Sequence, residues 1–192
     1  MIVDEGEGPA VVLLHGRGGS AGTWRELVPL LAARCRVLVP DDAQDLRAQL
    51  EGVERFAVVG EREGADLALD LCLEDDRVDA LVLLTPTGAG RRDSLAALEI
   101  PVLIFAGEDD PQTPVEVAEQ LNEAIPTSTL GFLPGAGHHL VEEAPATVFP
   151  MIYEYLRARY LKAPHGHGAE GIVTIQLERK PAWVDAGEED DE

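Results

Sequence analysis

The chain has 192 residues, 45% of them hydrophobic, with 36 Asp plus Glu against 15 Lys plus Arg and a formal net charge of −21. The length suits one domain with a sizeable core, and the acidic surplus repels phosphate backbones and anionic headgroups, which argues against nucleic acid or membrane surfaces as partners. No apolar run reaches the roughly 18 residues that span a bilayer, and Asp4, Glu5 and Glu7 stand where a secretory signal is basic and apolar, so the expected location is cytoplasmic.

Residues 10–15 form the first apolar run, which continues into VVLLHGRGG (11–19), where glycines allow a sharp turn and can aim amide N–H groups outward. Helical spacing follows at Trp24, Leu27, Val28 and Leu31. A second apolar run occupies 36–40, a helical pattern joins Leu46, Leu50 and Val53, and a third run, 56–60, leads into Gly60-Glu61-Arg62-Glu63-Gly64. Further runs lie at 80–85, 101–107 and 128–134, the last two followed by GEDDPQTP (107–114) and PGAGHHL (134–140). Thr113, Pro114 and Glu116 predict a capping box that opens a helix. Phe149, Ile152, Tyr153, Leu156 and Tyr160 predict a last helix, and Pro29 and Pro150 are expected to kink their helices or move a boundary.

Short runs rich in Val, Leu and Ile, without polar alternation, predict strands buried on both faces. With helices between them they predict a doubly wound, mainly parallel α/β sheet with helices on both faces. Val12, Leu14, Val58, Leu81, Leu83, Leu103 and Phe105 are its expected core. Cys35 and Cys72 lie in apolar stretches without metal-type spacing and are expected to be buried free thiols.

The composition changes after Leu161, dividing the chain into a domain over 1–162 and an extension over 163–192. The 163–170 linker is rich in Gly and His; His165 and His167 form H-x-H with no third ligand suggested by spacing, so no metal is expected. Residues 171–179, GIVTIQLER, alternate Val173, Ile175 and Leu177 with polar neighbours, which predicts a half-buried strand, and the acidic residues of 185–192 predict a disordered tail.

The HG-x-GG turn at 15–19, the G-x-x-D-x-x-x-P segment at 107–114 and the G-x-GH segment at 135–138 together resemble the α/β-hydrolase superfamily, over about residues 8–160. The resemblance implies that Asp110 is the triad acid, that His138 is the triad base, and that the Arg17 amide contributes to an oxyanion hole at the carboxyl edge of the sheet. It also implies a nucleophile at position 62, in the G-x-S-x-G elbow that follows a strand and opens a helix. That position holds Arg62, whose guanidinium stays protonated and offers no attacking lone pair, so acyl transfer from it is chemically excluded.

A literal G-x-S-x-G at 18–22 puts Ser20 too far beyond its strand for an elbow, and Ser20 is read as a helix cap. His15 is read as scaffold, Asp109 as a turn acid and His139 as pointing away from the site. The family usually has two more strands ahead of the HG turn, whereas here about nine residues precede that strand. A truncated N-terminal side is therefore expected. The short connection 86–100 leaves no room for a lid, so any site should be open.

Arg62, with Arg17 and Glu63, is the candidate binding group. Asp110, Glu61 and Glu63 provide enough acid to neutralise it, and an Arg62–Asp110 ion pair is the favoured arrangement; recognition of a carboxylate or phosphate by Arg62 is the competing one. The expected function is a pseudoenzyme of hydrolase fold that binds a small ligand, an anion being the specific candidate, or a protein partner, with no cofactor. The alternative is a hydrolase or lyase in which the Asp110/His138 pair acts as general base on water or substrate. Residues 171–179 are expected to cover the strand at 36–40, which would otherwise be an open edge, either within one chain or by exchange in a two-fold homodimer.

Overall fold

The computed structural model describes residues 3–40, 46–88 and 94–161. Its strands are β1 (Val3–Glu5), β2 (Ala10–Leu14), β3 (Arg36–Val39), β4 (Phe56–Glu61), β5 (Val78–Leu84), β6 (Val102–Gly107) and β7 (Ser128–Leu133). They form one sheet in the order β1-β3-β2-β4-β5-β6-β7. All neighbours run parallel except β1, which pairs antiparallel with β3.

The helices are α1 (Leu27–Ala32), α2 (Leu46–Gln49), α3 (Glu63–Glu74), α4 (Val115–Ala124), α5 (Leu140–Glu143) and α6 (Pro145–Arg159). Successive strand side chains point to opposite faces, and each face here has its own apolar cluster. Val11, Leu13, Val59, Val82 and Phe105 pack with Leu27 and Leu31 of α1 and with Val148, Ile152 and Leu156 of α6. Val12, Leu14, Val58, Leu81 and Ile104 pack on the other face with Leu46 of α2, Ala68 and Leu69 of α3 and Leu121 of α4. Coverage on both faces is why these strands read as continuous apolar runs, and the seven expected core residues are all buried.

Two local expectations are corrected. The edge beside β3 is covered by β1, with Val3 opposite Val39 and Glu5 opposite Val37, and Arg36 clamps Asp4 through hydrogen bonds of 2.8 and 2.6 Å. Among the described residues the outermost strand is thus three residues long and carries Asp4 and Glu5, which discourages further strand pairing. The capping box at Thr113 does not form: Pro114 occupies the cap position of α4, and the Thr113 amide donates to Asp110. Pro150 lies inside α6 without ending it, and Pro29 sits in the first turn of α1, where its missing N–H has no intrahelical partner to lose. The strand expected at 171–179, the H-x-H pair and the acidic tail lie outside the described residues.

No helix among the described residues is long and apolar enough to cross a membrane.

Candidate active site

The chain turns from β4 into α3 through one residue, Arg62, at φ 54° and ψ −122°. Left-handed φ in a residue with a side chain costs about 1–3 kcal/mol, and the surrounding contacts enforce it. A Cβ on Gly60 would lie 2.3 Å from the Gly64 carbonyl oxygen, and one on Gly64 would lie 2.3 Å from that of Leu14, so only glycines let the strand and helix approach this closely. The Arg62 amide donates to Leu84 O at 2.8 Å, while Arg62 O accepts from Ala65 and Asp66. The sharp strand-to-helix turn is therefore complete, with a guanidinium at its apex.

Asp110 follows β6 and His138 follows β7, so parallel neighbours deliver both to the carboxyl edge of the sheet. His138 Nδ1 lies 2.8 Å from Asp110 Oδ2. The other carboxylate oxygen accepts from the Gln112 and Thr113 amides at 2.7 and 2.9 Å. Burial opposes the charge on Asp110, but the hydrogen bonds from His138, Thr113 and Gln112 outweigh it and hold the carboxyl below its ordinary range. An ionised carboxylate only accepts, so Nδ1 of a neutral His138 carries the proton and Nε2 has the free lone pair.

Three residues that sequence reasoning did not assign to the dyad hold the His138 loop. Thr85, buried and at φ 44°, donates from Oγ1 to His138 O at 3.2 Å. Glu143 accepts from the Gly137 and His139 amides at 2.5 and 3.0 Å. Glu61, 1% exposed, accepts from the Val141 amide at 3.2 Å. Burial pushes the Glu61 carboxyl up, against the Val141 bond and the Arg62 charge. The only sequence signal for Glu143 was an acid a few residues beyond a glycine-rich turn, in a chain where acids are common.

Glu63 opens α3, and its Oε2 accepts from the Arg17 amide at 2.9 Å. Burial opposes its charge, but hydrogen bonds from the Arg17 amide and from its own amide, with the charges of Arg62 and Arg17, bring the carboxyl below its ordinary range. A Cβ on Gly16 would lie 2.8 Å from Arg62 Nε and 2.9 Å from Glu63 Oε2, so both side chains occupy space left by that glycine.

The Arg62–Asp110 ion pair is not formed. No acid lies within 4.0 Å of the Arg62 guanidinium among the described residues, and its Nε is enclosed without a hydrogen-bond partner. The physical reason is that backbone amides take the carboxylates first: Asp110 is held by His138, Gln112 and Thr113, Glu61 by Val141, and Glu63 by Arg17.

Of the remaining candidates, Ser20 caps a 3-10 turn and accepts from the Gly22 amide at 3.2 Å. The His15 ring stays against its own turn, with Nδ1 3.0 Å from Gly16 O. Cys35 and Cys72 are free thiols; Cys35 is buried and Cys72 half-buried. No group of three His, Cys, Asp or Glu among the described residues is arranged to hold a metal. A cleft of about 410 Å³ runs between the glycine turn and α5 and α6, lined by Gly19, Ser20, Thr23, Val141, Glu142 and Phe149; Asp110, His138 and Arg62 do not line it.

The Abhydrolase_4 family model, described as TAP-like protein, matches residues 83–167. Among curated proteins, the chain is 30% identical over 113 residues to a 2-hydroxy-6-oxo-6-phenylhexa-2,4-dienoate hydrolase of Burkholderia cepacia, covering 45% of this chain and 40% of that protein. It is 34% identical over 96 residues to the magnesium-chelatase 30 kDa subunit of Rhodobacter capsulatus, covering 38% of this chain and 34% of that one. The matched segment thus spans less than half the length of either relative. Among solved structures, an alpha/beta hydrolase enzyme from a sediment metagenome of the Mar Chica lagoon superimposes with a TM-score of 0.74 at 21% identity, over 82% of this chain and 94% of that one. The meta-cleavage product hydrolase of Pseudomonas fluorescens IP01 gives 0.72 at 18% identity, over 81% and 93%.

Proposed function

We propose that this chain, whose fold is that of the α/β-hydrolases it superimposes on and whose residues 83–167 match the Abhydrolase_4 model, does not carry out serine-type acyl transfer and binds a small organic anion at Arg62. The observation that carries this reading is the cation at the apex of the elbow, with no acid within 4.0 Å of it among the described residues and with Asp110, Glu61 and Glu63 engaged by other donors. A guanidinium matches a carboxylate by paired N–H donors, and partial burial strengthens the contact. The dienoate in the name of the Burkholderia cepacia relative is an anion of this class.

The 2.8 Å His138–Asp110 contact favours a second reading. With Nδ1 donating to Asp110, Nε2 is a free base, and a ligand anchored by Arg62 would bring a proton or a water within its reach. In this reading the pair acts as general base on water or substrate, and Asp110 supports the imidazolium that forms.

Calorimetric titration of wild type and Arg62→Gln with acetate and succinate tests the first reading. Saturable binding that is lost in Arg62→Gln is the expected result; equal binding, or none in wild type, overturns it. Turnover in an ester, thioester and lactone screen, abolished by His138→Ala, would establish the second.

A further inference from the structure

The Arg17 amide, the Glu63 amide and the Glu63 carboxylate converge at the elbow. In the elbow architecture, the N–H of the residue after the apex and an N–H from the turn that follows another strand together form the pocket that receives an oxyanion. Here those positions are Glu63 and Arg17; the Arg17 amide donates to Glu63 Oε2 at 2.9 Å, and the Glu63 amide lies at the base of that same side chain. We infer that Glu63 is a built-in occupant of the oxyanion pocket, an autoinhibitory contact that an external carboxylate must displace to reach the Arg17 and Glu63 amides. The inference rests on the reading of this elbow as an anion site and adds which group competes for it.

The contact is built to be displaceable. Arg17 is exposed and Glu63 half-buried, so the carboxylate can swing to solvent. While it is in place, a second anion would meet an occupied Arg17 donor and a negative charge beside it. It also sits next to Arg62 Nε, as their shared approach to Gly16 shows, yet the guanidinium gains no ion pair from it. One carboxylate therefore blocks the Arg17 amide and leaves the cation available. A tethered competitor acts at an effective concentration on the order of millimolar or above.

The test follows the Arg17 backbone amide by 1H–15N NMR in wild type and Glu63→Ala, a substitution that suits the first turn of α3. In wild type the Arg17 signal should move as Glu63 is protonated, below the ordinary glutamate range, and this movement should vanish in Glu63→Ala. Added acetate should shift the Arg17 and residue-63 amides saturably in Glu63→Ala, with an affinity about tenfold or more above that of wild type. Equal acetate responses in the two proteins, no response in either, or an Arg17 amide insensitive to Glu63 ionisation would each overturn the inference. An acetate response at these amides in Glu63→Ala, together with no effect of Arg62→Gln in calorimetry, would leave the occupant in place and remove Arg62 as the ligand anchor, so the two failures are distinguishable.

Discussion

The His138 Nδ1 and Asp110 Oδ2 atoms lie 2.8 Å apart at the ends of β7 and β6, a finished acid–imidazole pair in a sheet whose β4–α3 elbow has an arginine at its apex. The Asp110 side chain is 2% exposed and accepts three hydrogen bonds, so the pair contributes to stability whether or not it serves any chemistry.

Asp110→Asn should destabilise the protein by about 1–3 kcal/mol at pH 7, because a buried acceptor of charged character is lost. The folded Asp110 carboxyl titrates below its unfolded value of about 3.9. Its contribution is therefore present above that unfolded value and disappears as pH falls through the lower, folded one. Urea unfolding should show a gap between wild type and Asp110→Asn at pH 7 that narrows in strong acid.

Glu61→Gln should behave in the opposite sense. Burial raises the folded Glu61 carboxyl above its unfolded value, so ionised Glu61 costs stability at neutral pH and that cost is relieved as pH falls through the folded value. The glutamine can still accept from Val141. Glu61→Gln should be at least as stable as wild type at pH 7, by up to about 1 kcal/mol, with the advantage shrinking on acidification. A clear loss of stability at pH 7 would show that the charge itself holds the His138 loop.

Arg62→Gly should be more stable than wild type by about 1 kcal/mol, since relief of the strained φ outweighs the added freedom of the unfolded chain. Gly64→Ala should lose about 2 kcal/mol or more, because its Cβ meets the Leu14 carbonyl oxygen at 2.3 Å. Denaturant midpoints of the two variants would check both signs.

A fluorophosphonate probe should label no serine in the wild-type protein. Labelling at Ser20 would contradict its assignment as a cap, which rests on the bond from the Gly22 amide.

The sheet was legible because β2 to β6 are buried along nearly their whole length and therefore read as apolar runs. β1 was not, because Val3–Glu5 has no apolar pattern of its own and exists through pairing with β3 and the Arg36–Asp4 clamp. Asp110 and His138 could be placed at one edge because each follows a strand of a parallel pair. The partners of Arg62 could not be read, since they depend on which backbone amides reach the acids first. Glu63 finds the Arg17 amide 46 residues away and Glu61 finds Val141 80 residues away, and no local spacing encodes either choice.

The central claim, an anion site at Arg62, is tested most directly by following the arginine Nε–Hε NMR signals during titration with succinate. The Arg62 signal, assigned by its absence in Arg62→Gln, should move saturably while those of the exposed Arg25 and Arg34 stay fixed. A stationary Arg62 signal, or one that drifts in step with the exposed arginines as ionic strength rises, would contradict the account.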